Sequence, residues 1–122
     1  MIGFHRKITM YDSHVVKTAR NRVSRYCNKI EAELSGSSPY LARVLSVSED
    51  FSTLKMERVV IPGLMERIRI SHALKKKLGR FSDLHWYNVG LKDGIPVLYD
   101  YGGTFVIFRI ITGRKPALRC AQ

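Results

Sequence analysis

Two kinds of hydrophobic periodicity divide the chain into predicted helices and strands. Apolar residues recur at three- and four-residue steps over about 18–34 and again over 64–78, which predicts two amphipathic helices. The Ser-Gly-Ser-Ser-Pro run at 35–39 ends the first helix, and Gly79 is the expected C-cap of the second. Short apolar or alternating runs predict strands at 14–19, 40–47, 52–59, 88–91 and 95–100.

The order of these elements predicts an α+β fold in a single domain, 1–122. A chain of 122 residues is large enough for one modest hydrophobic core. We expect an antiparallel sheet packed by the first helix, followed by the second helix and a hairpin. Lys92-Asp93-Gly94 forms the hairpin turn, because Asp-Gly supplies the positive φ that such turns require. A further buried strand or short helix is predicted at 104–111, and a basic tail is predicted at 112–122.

The most specific chemical pattern lies at 81–103, which reads FSDLHWYNVGLKDGIPVLYDYGG. Asp83 is followed by Asn88, then by the predicted hairpin, and then by Asp100 in an Asp-Tyr-Gly triplet. Phosphoryl transfer needs a carboxylate that orients the attacking hydroxyl and oxygen ligands that hold Mg²⁺ against the phosphates of ATP. The alternative interpretation is an ordinary β-hairpin with polar residues at its strand ends.

This stretch resembles the protein-kinase-like superfamily, whose catalytic loop reads H-R-D-x-x-x-x-N and whose metal loop reads D-F-G. The resemblance implies that Asp83 is the catalytic residue and that Asn88 and Asp100 hold Mg²⁺ beside ATP. With His85 two residues after Asp83, the pattern is more similar to small-molecule and bacterial or phage kinase-like proteins than to eukaryotic ones. Tyr101 replaces the Phe of the metal motif, which is a mild change.

The chain before this stretch carries further parts of the family pattern in the family's order. Lys17, after two valines on a predicted strand, is similar to the lysine that contacts the α- and β-phosphates. Glu31 or Glu33 on the next helix would pair with it: the family spacing favours Glu31, whereas the helical angle slightly favours Glu33. The alternative for these residues is a surface lysine and solvated helix charges. The strand at 52–59 ends like the hinge that binds the adenine edge, with Met56, Glu57 and Val59 as the candidate nucleotide-binding residues and Met56 guarding the pocket.

Several parts of a full kinase are missing from this pattern. No G-x-G-x-x-G loop occurs in 1–13, Phe81-Ser82 replaces the His-Arg before the catalytic Asp, and no A-P-E element or helical lobe is found after Gly103. The resemblance therefore implies a reduced, bacteriophage-type kinase-like protein with weak turnover. Its small-lobe-like part is 14–63 and its catalytic-loop-like part is 64–103, followed by the terminal segment 104–122.

The charge of the chain indicates an acidic partner. The formal net charge is +11, and the basic residues concentrate in 1–29 and 64–80. Such a surplus favours nucleic acid, anionic protein surfaces or nucleotide phosphates. A solvated helix face is the alternative, because lysines also suit the last turn of a helix. The candidate partner-binding residues on the second predicted helix are Arg67, Arg69, Lys75, Lys76 and Lys77.

The cysteines, histidines and apolar runs favour an intracellular protein whose thiols are in the reduced form. Cys27 and Cys120 lie far apart and form no C-x-x-C pair, and the four histidines have no zinc-ligand spacing. The N-terminus carries no apolar signal segment, and no apolar run reaches the roughly 18 residues that a membrane helix needs. We expect a cytoplasmic protein, in the host cell if it is phage-encoded, with no membrane partner.

Three functions agree with these features. The first, which we expect, is a reduced kinase-like module that keeps the ATP and Mg²⁺ residues but acts by binding an acidic macromolecule, such as a host protein or a nucleoprotein complex, as host-takeover or anti-defence inhibitors of phages do. The second is an active miniature ATP-dependent phosphotransferase. The third is a basic nucleic-acid-binding protein, although the chain has no aromatic-rich RNA-binding signature.

Overall fold

The computed structural model describes residues 6–78 and 84–102. These residues form a small α+β fold with a four-stranded antiparallel sheet, a two-stranded sheet and two α-helices, which confirms the predicted class. The elements in chain order are β1 (Arg6–Met10), β2 (His14–Ala19), α1 (Arg22–Leu34), β3 (Val44–Val47), β4 (Thr53–Glu57), α2 (Leu64–Leu78), a 3₁₀ helix (Trp86–Asn88), β5 (Val89–Lys92) and β6 (Ile95–Leu98).

The larger sheet has the strand order β1-β2-β4-β3, and every neighbouring pair is antiparallel. Its edge strand β1 was not predicted from the sequence. In the register, Ile8 pairs with Lys17 and Lys17 pairs with Leu54. Because side chains alternate between the faces of a strand, Arg6, Ile8 and Lys17 share one face with Leu54, and Lys7 and Val16 lie on the other.

Helix α1 begins later than the predicted boundary near residue 18, because Asn21 caps it. The Asn21 side chain accepts a hydrogen bond of 2.8 Å from the main-chain N–H of Ser24, and the Ser24 hydroxyl accepts one of 3.0 Å from the N–H of Asn21. This reciprocal capping box satisfies two main-chain donors at the helix start. Residues 18 and 19 stay in β2.

Segments predicted as strand ends instead join the two sheets. Ala42 donates to the carbonyl of Leu98 at 2.9 Å and Leu98 donates to that of Tyr40 at 2.8 Å, so the predicted strand at 40–47 is shortened to β3. Val60 and Leu91 exchange two main-chain hydrogen bonds of 2.8 Å. These bonds attach the β5–β6 hairpin to both ends of the β3–β4 segment.

The hairpin turn has the predicted chemistry. Asp93 has a φ of 51° and Gly94 a φ of 79°, so both central residues are in the left-handed region that a two-residue hairpin turn demands. In β5, a Cβ on Gly90 would lie 2.7 Å from the carbonyl oxygen of Val60. Only glycine therefore permits the close approach between β5 and the residue 60 segment.

A single apolar cluster joins the sheet, both helices and the hairpin. The buried residues of this cluster are Cys27, Ile30, Leu41, Ala42, Leu54, Met56, Val59, Ile70, Leu74, Leu78, Leu84, Val89, Val97, Leu98 and Tyr101. Helix α2 contributes Ile70, Leu74 and Leu78 and packs against the hairpin. The hairpin is therefore held in a defined position against the sheet.

Some predictions concern residues outside the described ranges. They are the C-cap Gly79, the catalytic candidate Asp83 and the segments 104–111 and 112–122. Within 6–78 and 84–102, neither helix has the length and apolar character needed to cross a membrane.

Candidate functional site

The candidate site is built around the fully buried carboxylate of Glu31 on α1. Its Oε1 accepts hydrogen bonds from Lys17 Nζ at 2.9 Å and Arg6 Nη1 at 2.8 Å. Its Oε2 accepts from Arg6 Nη2 at 2.9 Å and from the main-chain N–H groups of Tyr101 at 3.0 Å and Gly102 at 2.9 Å. One carboxylate thus connects β1, β2, α1 and the Asp-Tyr-Gly segment after β6.

The partner of Lys17 is Glu31, and Glu33 lies on the exposed side of α1. Two residues decide this, because Cys27 and Ile30 are buried in the core and so orient the helix. Glu31, adjacent to Ile30, then projects toward β2. Lys17 Nζ also donates to the carbonyl oxygen of Tyr99 at 2.5 Å, which ties the lysine to the end of the hairpin.

Arg6 is a member of the site that sequence reasoning missed. Its guanidinium makes a bidentate pair with Glu31, donates to Asn28 Oδ1 at 3.0 Å, and donates to Asp100 Oδ1 at 2.9 Å. Its side chain is only 4% exposed. The only signal in the sequence is the alternation Arg6, Ile8, Met10, which is too short to predict a strand and the partners of its arginine.

Burial and neighbouring charges oppose each other in this cluster. Burial alone would raise the pKa of Glu31, but the charges of Arg6 and Lys17 outweigh it and hold that pKa at about 2. Burial alone would lower the pKa of Arg6, yet the Glu31 carboxylate raises it above its ordinary value. Burial lowers the pKa of Lys17, and the attraction of Glu31 does not fully offset this effect.

A cavity of about 310 Å³ opens beside the cluster. It lies on the sheet face that carries Lys17, between the sheet and the end of the hairpin. Five predicted site residues line it: Lys17, Met56, Glu57, Val59 and Asp100. The other lining residues are Ile8, Met10, Val15, Arg58, Ile61 and Tyr99.

The segment after β4 forms one wall of this cavity. Met56 is buried, and the Glu57 carboxylate accepts a hydrogen bond of 2.9 Å from the main-chain N–H of Arg43 and lies 3.8 Å from Lys92 Nζ. Beyond the strand, the main-chain polar groups of Arg58 and Val59 have no hydrogen-bond partner among residues 6–78 and 84–102. Residues with unpaired main-chain groups in the described ranges therefore belong to the lining of the cavity.

Asn88 lies opposite Tyr99, at the open end of the β5–β6 hairpin, and does not line the cavity. It ends the 3₁₀ helix, and its carbonyl oxygen accepts a hydrogen bond of 3.0 Å from the N–H of Tyr99. This bond places Asn88 opposite the residue before Asp100. Asp83, the predicted catalytic residue, is outside the described ranges.

The Arg6 guanidinium sets the charge beside Asp100, a predicted Mg²⁺ ligand. One oxygen of Asp100 already accepts from the Arg6 guanidinium at 2.9 Å, and a cation so close to the carboxylate opposes the binding of a second one. In the part of the chain that the structure describes, no group of three or more His, Cys, Asp or Glu side chains could hold a metal ion. The Mg²⁺ role of Asn88 and Asp100 stays a prediction.

The predicted basic surface is exposed at four of its five positions. Arg69, Lys75, Lys76 and Lys77 are exposed on α2. Arg67 is half-buried, and its guanidinium lies 4.9 Å from the centre of the Trp86 ring, which is a cation–π contact. Arg67 therefore helps to pack α2 against the 3₁₀ helix.

Comparisons of the chain with protein-family models, with curated proteins and with solved structures found no match. The geometry of the site is therefore the basis on which a function can be assigned.

Proposed function

We propose that this chain is a reduced kinase-like module that binds a nucleotide-type ligand in its cavity and acts by holding an acidic macromolecular partner. The observation that carries this proposal is the Lys17–Glu31 pair of 2.9 Å beside a cavity that Met56, Val59 and Asp100 also line. These residues come from four separate segments and stand in the order of the kinase pattern.

The walls of the cavity suit a heteroaromatic base. Ligand sites are mostly apolar concave surfaces with a few polar groups that orient the ligand. Here Ile8, Val15 and Met56 supply apolar surface, while the main chain of Arg58 and Val59 supplies hydrogen-bonding groups. A purine base has apolar faces and a polar edge, so it matches both features.

The same cluster disfavours phosphoryl transfer. Catalysis of that reaction depends on positive groups that stabilise the charge of the transferred phosphoryl group. Asp100, the predicted Mg²⁺ ligand, is engaged by the Arg6 guanidinium at 2.9 Å. The ionic groups of the cluster are hydrogen-bonded to one another. We therefore expect them to stabilise a binding site and not to catalyse phosphoryl transfer.

The exposed basic residues of α2 supply a surface for the partner. Arg69, Lys75 and Lys77 are exposed on α2, whereas Ile70 and Leu74 of the same helix are buried. The chain as a whole has a net charge of +11. An acidic protein or a nucleoprotein complex fits this charge, because electrostatic complementarity speeds association and selects the partner.

The ligand part of the proposal is tested by calorimetric titration of adenosine and of ATP with Mg²⁺. Val15→Phe fills the cavity from β2 and should weaken binding by at least about tenfold. Val16→Phe is the matched control, because Val16 lies on the other face of the same strand. Absence of saturable binding by the wild type, or equal binding by both variants, would refute the proposal. Release of ADP that Asp100→Ala abolishes would instead favour the miniature phosphotransferase.

A further inference from the structure

We propose that Arg6 takes the place of a metal cation beside Asp100, which makes the cavity a metal-independent site for an uncharged nucleoside-type ligand. This inference rests on the proposed function and narrows its ligand class. The volume and lining of the cavity do not fix the charge of the ligand or its need for a metal, and the inference addresses both.

Arg6 is built into the fold at this position. The register of β1, in which Arg6 pairs with Ala19, places its side chain on the face of the sheet that carries Lys17. There its two terminal nitrogens make four hydrogen bonds, to Asn28, Glu31 and Asp100. A bidentate guanidinium–carboxylate pair has a defined geometry as well as a favourable energy. Arg6 therefore places a positive charge beside Asp100, as a bound cation would.

The charges of the side chains that line the cavity cancel. Lys17 and Arg58 line it together with Glu57 and Asp100, which gives two charges of each sign. Behind the wall, Arg6 and Glu31 form a further pair of opposite charges. A triphosphate brings several negative charges that this neutral set does not balance, whereas a nucleoside brings none.

The shape and polarity of the cavity agree with a small uncharged ligand. Its volume of about 310 Å³ is at the lower end of the range for small-molecule sites, about 300–1,000 Å³. Six of its lining residues are aliphatic: Ile8, Met10, Val15, Met56, Val59 and Ile61. The side chain of Asp100 is 46% exposed, so its second oxygen can accept a hydrogen bond from a ribose hydroxyl.

Titrations of adenosine, AMP and ATP, each with Mg²⁺ and with EDTA, test the ligand class. We expect the affinity for adenosine to be the same with Mg²⁺ and EDTA within about twofold, and ATP with Mg²⁺ to bind no more tightly than adenosine. Binding of ATP that is about tenfold tighter with Mg²⁺ than with EDTA, and tighter than that of adenosine, would overturn the inference and leave the proposed function intact. No binding of any of the three would overturn both.

The role of Arg6 is tested separately by adding Mn²⁺ and recording the paramagnetic broadening of amide NMR signals. We expect no saturable broadening at Tyr99 to Gly102 in the wild type or in Lys7→Gln, the control on the other face of β1. Arg6→Gln should acquire such broadening, because Asp100 loses its cation. If Arg6→Gln does not fold, the comparison of the wild type with Asp100→Asn tests the inference. Broadening in the wild type that Asp100→Asn removes would overturn it. Absence of broadening in the wild type would support it.

Discussion

The carboxylate of Glu31 accepts a hydrogen bond of 2.9 Å from the main-chain N–H of Gly102, which lies 71 residues further along the chain. The neighbouring N–H of Tyr101 donates to the same oxygen, and Arg6 and Lys17 donate to the carboxylate from the sheet. Together these five donors offset the cost of burying the carboxylate. Glu31 therefore couples the sheet to the segment that carries Asp100.

Replacing Glu31 by Gln should strongly destabilise the fold. The substitution leaves Arg6 and Lys17 buried without their counter-charge, and breaking a buried ion pair in this way costs about 3–5 kcal/mol. Urea unfolding measures the loss. Glu33→Gln, on the exposed side of α1, is the control and should change stability by no more than about 0.5 kcal/mol. Similar losses in both variants would mean that the Glu31 cluster contributes little.

Acid should destabilise the protein over a pH range set by Glu31. Its pKa is about 2 in the folded state against an ordinary value of 4.5, so the unfolded chain takes up a proton first as the pH falls. The stabilisation is complete above about pH 4.5 and is lost as the pH falls toward 2. Urea midpoints measured between pH 6 and pH 2, values that bracket this window, test the expectation.

Asp50 requires a control in the same experiment. Hydrogen bonds from Ser52 and Ser48 lower its pKa to about 2 as well, although the residue is exposed. Because solvent screens such a group, the Asp50→Asn variant should still lose most of the stability that the wild type loses in acid. If that variant loses the pH dependence, the dependence arises from the loop and not from Glu31.

Gly102→Ala should destabilise the junction between α1 and the Asp-Tyr-Gly segment. A Cβ at this position would lie 2.7 Å from the carbonyl oxygen of Cys27, which belongs to the helix backbone and cannot rotate away. We expect a cost of about 1–3 kcal/mol, visible as a lower Tm. Gly63→Ala is the matched control, because nothing lies within 4 Å of its added Cβ. Equal Tm values for the two variants would contradict the close packing at Gly102.

Removing charge from α2 should weaken binding to acidic macromolecules. The double variant Lys75→Gln/Lys77→Gln removes two exposed charges, and Lys7→Gln/Lys55→Gln removes two from the outer face of the sheet as the matched control. Fluorescence titration with polyglutamate and with a short DNA duplex measures the effect. With DNA, the α2 variant should lower the salt dependence by about one counterion per lysine. An equal loss in both double variants would show that net charge alone controls binding.

Local chemistry in the sequence determined much of the fold. The three- and four-residue spacing predicted both helices, and Asp93-Gly94 predicted the hairpin turn, because these signals depend on neighbouring residues. The resemblance to the kinase-like pattern also selected Lys17, Met56 and Asp100, which line one cavity.

Long-range contacts decided the rest, because nothing near a residue in the sequence specifies a partner far along the chain. Arg6 meets Glu31 across 25 residues and Asp100 across 94, so neither its burial nor its effect on a metal site could be predicted from its neighbours. The choice of Glu31 over Glu33 depended on the rotation of α1, which the burial of Cys27 and Ile30 sets. The sequence thus determined most of the residues that could form the site, and tertiary packing added Arg6 and decided which charges come together.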